Sequence, residues 1–531
     1  MSFSMNACSP VAWQTLASAL DLRDSSPMSI RARLRTALAF VVWGVLLGLA
    51  YGQAPLYTSN QNQYFLHGLA QAGQGLLADD WLANTTDPSP VFTWLVFVTA
   101  RYLPRAIFYV YYFLLFAVYL YSLRRIADRI YEIERSRASR WIFLALILVS
   151  HSAALHMLLG RGVGGDWEYL LDGGLAGQRL LGTVLQPSSF GVFLLLSVQQ
   201  FLDRRTYRAV LAAAVAATVH PTYMLSAAVL TLTYMFVEVR AGGSYRRSLQ
   251  VGALALILVL PVLAYSFHSF IPSAADAQEI LVQFRLPAHA VVAEWFGTAT
   301  IASLALIVLA LILTRDTPLL QVLLLSAAVG AALTLLQVLS GSNTLALLFP
   351  WRLSTYLIPL STAVLAGWVA VWVREHTRPR IGRVVSVASI LLVGLSIVSG
   401  LIWMAVQGLQ QRIAPERALY DYVQAERQFG QLYAIPPKLQ DFRLATSTPI
   451  LADFKSIPYR RGEVLNWYSR VRLLQWFYRQ TIDCGLMGDF MDEYRVTHIV
   501  LGPGQLGQNC PEMRERYNDG QYAVYVLESR P

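Results

Sequence analysis

Long apolar runs separated by short polar connections fill most of the chain. Apolar windows lie near 36–52, 107–122, 140–159, 189–202, 208–219, 222–239, 249–267, 298–314, 318–339, 354–373 and 384–407. A helix needs roughly 17–25 apolar residues to cross a bilayer, so the shorter windows must extend into their flanks. Together they predict about eleven spans. The stretch 208–239 is too long for one comfortable crossing, is basic at both ends, and holds His220-Pro221-Thr222 in its middle. Proline breaks the helical hydrogen-bond ladder and restricts the residue before it, which predicts two crossings joined by a tight turn. One long kinked helix is the alternative, and it would invert everything downstream.

After residue 408 the pattern becomes charged and mixed. The runs 450–454, 497–501 and 522–527 read as short strands. Residues 463–479 read as a helix with Trp467, Val471, Leu474 and Tyr478 on one face. Asn518-Asp519-Gly520 signals a turn before the last strand. The expected fold is therefore mainly α: a polytopic membrane helix bundle over 36–407, an N-terminal cytoplasmic segment 1–35, and a small C-terminal extracytoplasmic α/β domain over 408–531.

Composition agrees. The 531 residues are 55% hydrophobic and 14% charged, where a soluble chain would carry about 25% charge. The net charge of +10 does not point to nucleic acid, because no soluble segment carries a basic stripe with interleaved aromatics. The arginines gather in the connections 123–140, 203–208, 240–247, 315–317 and 374–383. By the positive-inside rule these face the cytoplasm. The loops 53–106, 160–188, 268–297 and 340–353 then lie outside. The basic cluster Arg31, Arg33 and Arg35 before the first apolar run resembles a signal peptide, but Pro55 follows the cleavage-like Ala54; the first span is read as uncleaved. Residues 91–100 read as an interfacial helix.

The cysteines are Cys8, Cys484 and Cys510. They form no metal-ligand spacing. Cys484 and Cys510 are open to two readings, a disulfide in an oxidising compartment or two free thiols. No glycine-rich phosphate loop follows a strand, so nucleotide binding is unsupported. No complete metal ligand set is evident, and a divalent metal would need help from substrate phosphates.

The candidate chemistry sits in the outside loops. Asp79 and Asp80 form an acidic pair in the first of them. A carboxylate suits a general base, and adjacent acids point apart, so one of the two is expected to act; solvated acids capping a helix are the alternative. Arg285 and His289 are four apart and would share a helix face. An arginine fork suits phosphate and a histidine can add a proton. Arg352, after Phe349-Pro350-Trp351, is a third phosphate candidate. His220 either lines a cavity or packs. Arg161 lies in the glycine-rich run 160–166, where it either meets an anionic head group or pairs with Asp166.

The acidic pair in the first loop, the count of spans and the C-terminal domain together resemble the GT-C superfamily of integral membrane glycosyltransferases. More closely, the chain is similar to an uncharacterised group of bacterial, notably cyanobacterial, multi-pass proteins. The residues that carry this are 60–64 with 75–81, His220-Pro221-Thr222, 284–289, 441–444, 452–459 and 463–468, within a likeness running from about residue 36 to 528. The GT-C resemblance implies inverting transfer from a polyprenyl-phosphate sugar to an acceptor at the outer face, with Asp79 or Asp80 as base. Placing Arg285, His289 and Arg352 on the lipid phosphate rests on their own chemistry. The rival expectation is a transporter or binding protein for a lipid-linked or anionic solute. Transporters show paired broken helices, and the sequence offers one break, at His220-Pro221.

Overall fold

The computed structural model describes residues 30–270, 274–507 and 510–527. Most of the expected N-terminal segment 1–35, with Cys8, lies outside the described residues. Among the described residues seven helices are long and apolar enough to cross a membrane: Leu34–Tyr51, Ile107–Tyr131, Pro221–Arg240, Tyr245–Phe270, Leu319–Ser340, Asn343–His376 and Ile381–Arg412. Arg137–Ser150 and Ala153–Gly162, bent by 47°, make an eighth if counted as one span. These are the features of a multi-pass membrane protein. Three further apolar windows form the shorter helices Pro187–Leu202, Thr206–Val219 and Thr298–Leu313. At 1.5 Å per residue, 14 to 16 residues reach only about 21–24 Å, short of a hydrocarbon core of roughly 30 Å.

His220 and Pro221 separate two helices that pack on each other, Thr206–Val219 and Met224–Arg240. Around them the bundle closes on a continuous apolar core that includes Leu47, Phe116, Leu195, Tyr234 and Leu357. The first helix lies against Ile107–Tyr131, and the last long helix against Arg137–Ser150. Pro90–Tyr102 buries Phe92, Val96 and Thr99 while Trp94 stays exposed, the two-faced character of an interfacial helix.

The C-terminal region carries a four-stranded sheet in the order β1-β2-β4-β3, from β1 (Tyr433–Ala434), β2 (His498–Leu501), β3 (Met513–Asn518) and β4 (Ala523–Leu527). β1 and β2 are parallel, and the other pairings are antiparallel. The helix Arg461–Phe477 buries Trp467, Val471 and Leu474 against the sheet side of this domain. Cys484 and Cys510 are bridged by a disulfide.

The expected strand 450–454 shrinks to a single parallel bridge of Ile450 with Tyr433 of β1, in which Leu451 N–H donates to Tyr433 O (2.8 Å) and Tyr433 N–H to Pro449 O (3.1 Å). The backbone groups on its other side are taken by side chains: Ile450 N–H donates to Asp80 Oδ2 (3.0 Å), Trp81 Nε1 donates to Leu451 O (2.7 Å) and Trp467 Nε1 to Asp453 O (3.0 Å). β3 escapes pattern reading because it is a charged edge strand, Arg514-Glu515-Arg516 being exposed. Such charge on an edge guards it against pairing with another chain.

Candidate functional site

The polar run Asn60–Tyr64 docks the first loop into the C-terminal domain. Gln63 Nε2 donates to Ile457 O (2.9 Å), and its Oε1 accepts from Ile457 N–H. Asn62 donates to the Asp441 carboxylate, and its own carbonyl accepts from Ser456 Oγ (3.1 Å). Nearby, Leu76 N–H donates to Ser447 O (2.9 Å), and Arg470 lies 4.4 Å over the Trp81 ring.

Asp80 belongs to this seam. It is fully buried. Its Oδ1 accepts from Leu82 N–H (2.9 Å), and its Oδ2 from Ile450 N–H and from Arg443 Nε (2.9 Å). Arg443, 1% exposed, also donates Nη1 to Asp453 (2.5 Å). Asp80, Arg443 and Asp453 thus form a buried ionic triad across the two parts of the chain. Asp79, one residue earlier, closes the short 3-10 turn Leu77–Asp79 and is exposed. Its carboxylate has no hydrogen bond or ion pair among the described residues.

A cluster of cations lies on the inner side of the same seam. Arg285 donates Nη2 to Lys455 O (2.7 Å) and lies 5.3 Å over the Phe454 ring; its buried Nε has no partner. Arg352 is held by neutral groups alone: Thr222 Oγ1 (2.9 Å from Nη2), His220 Nε2 (2.7 Å) and Gln178 Oε1. The Lys455 ammonium has no hydrogen bond or ion pair among the described residues. Burial first, and Arg285 second, hold its pKa below the usual lysine value. Tyr64 and Tyr459, hydrogen-bonded to each other, sit within the field of Arg285 and Arg352. Three half-buried cations therefore share a site without a carboxylate dedicated to any of them. Buried charge is costly until an opposite charge arrives.

His289 completes this wall. Its Nδ1 donates to Ala176 O (2.6 Å). Gly177 makes room for it: φ is +64°, and a Cβ there would stand 3.0 Å from the imidazole. Arg285 ends the turn Ile280–Arg285, whereas His289 belongs to the separate turn Pro287–Ala290; the helix shared by the two in the sequence reading is broken at Leu286-Pro287. Burial holds the His289 pKa below the ordinary imidazole value of 6.5, and Arg352 and Arg285 push it the same way. A neutral buried histidine contributes stability that is complete above pH 6.5 and is lost as pH falls below it. His289→Gln should flatten that part of the profile. Apparent melting temperatures from pH 7.5 to 5.0 check this, the wild type falling more steeply than the variant.

The structure thus gathers His220, Arg285, His289 and Arg352, places Asp80 in the triad, and leaves Arg161 exposed at the end of the Ala153–Gly162 helix. Sequence reasoning missed Lys455, Tyr459 and Arg443. A signal for the first was present: of the 42 basic residues only Lys438 and Lys455 are lysines. Among the described residues no three His, Cys, Asp or Glu side chains group as a metal site.

No curated protein matches the chain. Residues 414–474 match a domain of unknown function (DUF6798), and that segment contains Asp441, Arg443, Asp453, Lys455 and Tyr459.

Proposed function

We propose that the protein is a GT-C-like membrane glycosyltransferase that moves a sugar from a polyprenyl-phosphate donor to an acceptor at the outer face of a bacterial plasma membrane. One observation carries the reading: Arg285, Arg352 and Lys455 converge where the membrane helices meet the C-terminal domain, and among the described residues none of them is ion-paired with a carboxylate. A phosphate on a lipid tail is the anion whose placement fits that seam. Arg285 meets its oxygens through its free Nε and remaining N–H groups, Arg352 through the one N–H that its protein contacts leave, and the ammonium adds a point charge. As the acceptor oxygen bonds to the anomeric carbon, the bond from that carbon to the phosphate oxygen breaks, and the cations stabilise the charge left on phosphate. Asp79 takes the acceptor's proton. Its carboxylate is free, whereas every hydrogen bond of Asp80 is spent on holding the fold. The disulfide supports placing the C-terminal domain in an oxidising compartment, in keeping with the arginine-rich connections on the opposite side.

A second reading has its own observation. The 47° break between Arg137–Ser150 and Ala153–Gly162 adds to the break at His220-Pro221, and buried His156 pairs with Asp172 (3.1 Å) beside it. Broken helices with buried titratable groups are features of transporters.

Single-turnover transfer from a panel of polyprenyl-phosphate sugars separates the two. Wild type should release polyprenyl phosphate. Asp79→Asn should slow release by about 10²-fold or more, and Arg285→Ala should weaken donor binding. Saturable binding that Arg285→Ala abolishes, with no release from any donor, would establish the transport reading instead.

A further inference from the structure

A cavity of about 410 Å³ opens on the other side of Asp441, between the first loop, the end of the last long helix and the first helix of the C-terminal region. Its size is that of a small-molecule site. Gln407, Gln410 and Gln411 line one wall. Their spacing puts them on one face of the Pro379–Arg412 helix, and none has a hydrogen bond among the described residues. Amides both donate and accept. Gln410 is exposed and the other two half-buried, so water serves this row in the free protein and a ligand with many hydroxyls can take its place.

The charges of the cavity cancel. Asp441 and Glu416 face Arg105 and Arg417, and Arg417 is already paired with Asp421 (2.6 Å). The lining therefore has no surplus to attract phosphate, unlike the cluster around Lys455. Tyr57 and Tyr420 add ring surface. Burial raises the Asp441 carboxyl above its usual range, and it accepts hydrogen bonds from the Asn62 side chain and the Ser59 backbone. Asn62 also receives Ser456, the neighbour of Lys455, so Asp441 stands in the wall between cavity and cation cluster.

We propose that this cavity binds an uncharged saccharide, with the glutamine face and Asp441 reading its hydroxyls. Mixed donors and acceptors on balanced charge, beside aromatic rings, match a sugar better than an anion or an apolar tail. That the bound saccharide is the acceptor rests on the transfer reading; that it binds does not.

The full chain in detergent, titrated with maltose, cellobiose, chitobiose and mannobiose and followed by saturation-transfer NMR, tests this. At least one disaccharide should bind saturably. The pair Gln407→Ala and Gln411→Ala should weaken it by about tenfold, two ordinary hydrogen bonds being lost. Asp441→Asn, which keeps the shape of the wall, should weaken it as well, and melting temperatures show whether each variant is folded. Arg285→Ala should leave saccharide binding in place. Absence of saturable binding for all four sugars, or binding that survives both the glutamine pair and Asp441→Asn, overturns the proposal. Saccharide binding without transfer from any lipid donor would refute the glycosyltransferase reading alone.

Discussion

Arg443→Ala is expected to destabilise the protein by about 3–5 kcal/mol, the usual cost of removing one partner from a buried ionic group. Arg443 is 1% exposed and Asp80 fully buried, so water cannot replace the guanidinium. Two carboxylates would face each other with only backbone donors left: Leu82 and Ile450 for Asp80, Ser456 for Asp453. The first loop would lose its strongest anchor to the C-terminal region. The expected result is a drop of many degrees in the apparent melting temperature in detergent, with proteolysis beginning in the C-terminal region. Arg443→Met combined with Asp80→Asn and Asp453→Asn should recover much of the loss, since a neutral buried cluster avoids the uncompensated charge. A single variant that melts within a degree or two of wild type would mean that the triad does not hold the seam.

The triad also shows what could be read from sequence and what could not. Apolar windows expose membrane helices because every residue of a span must satisfy the same solvent, and His220-Pro221 is legible because proline acts on its own neighbours. The role of Asp80 is not local. Its partner Arg443 lies 363 positions away, and nothing around Leu77–Trp81 distinguishes a structural acid from a free one. Asp79 and Asp80 look alike as letters, yet the backbone turn sends one to solvent and the other into the seam. The same long-range pairing hid the fate of 450–454. Its composition is that of a strand, but it pairs with β1 only at Ile450, and Asp80 and Trp81 claim the backbone groups on its other side. Lys455 was visible as a rare lysine, while its place beside Arg285, with no direct ion pair among the described residues, needed the fold.

Arg352 is where loss of binding should be greatest without loss of fold. Thr222, His220 and Gln178 fix its guanidinium, and the Tyr223 ring lies 5.2 Å from it, so its charge and its remaining N–H are aimed before any ligand arrives. Charge-assisted hydrogen bonds are each worth about 1.5–3 kcal/mol, and Arg352→Met should weaken polyprenyl phosphate binding by about 10–150-fold. Arg352→Lys should recover only part of this, because an ammonium restores the charge but not the planar set of contacts with Thr222, His220 and Gln178 that aims it. Gln178→Ala should fall between wild type and Arg352→Lys: the guanidinium stays, less well aimed. Fluorescence titration of the purified protein with a labelled polyprenyl phosphate distinguishes these. The order matters more than any single value. If lysine restored binding in full, the site would be reading charge alone. If methionine cost nothing, Arg352 would be a strut between the 170s loop and the His220 turn, and the phosphate would have to be held by Arg285 and Lys455.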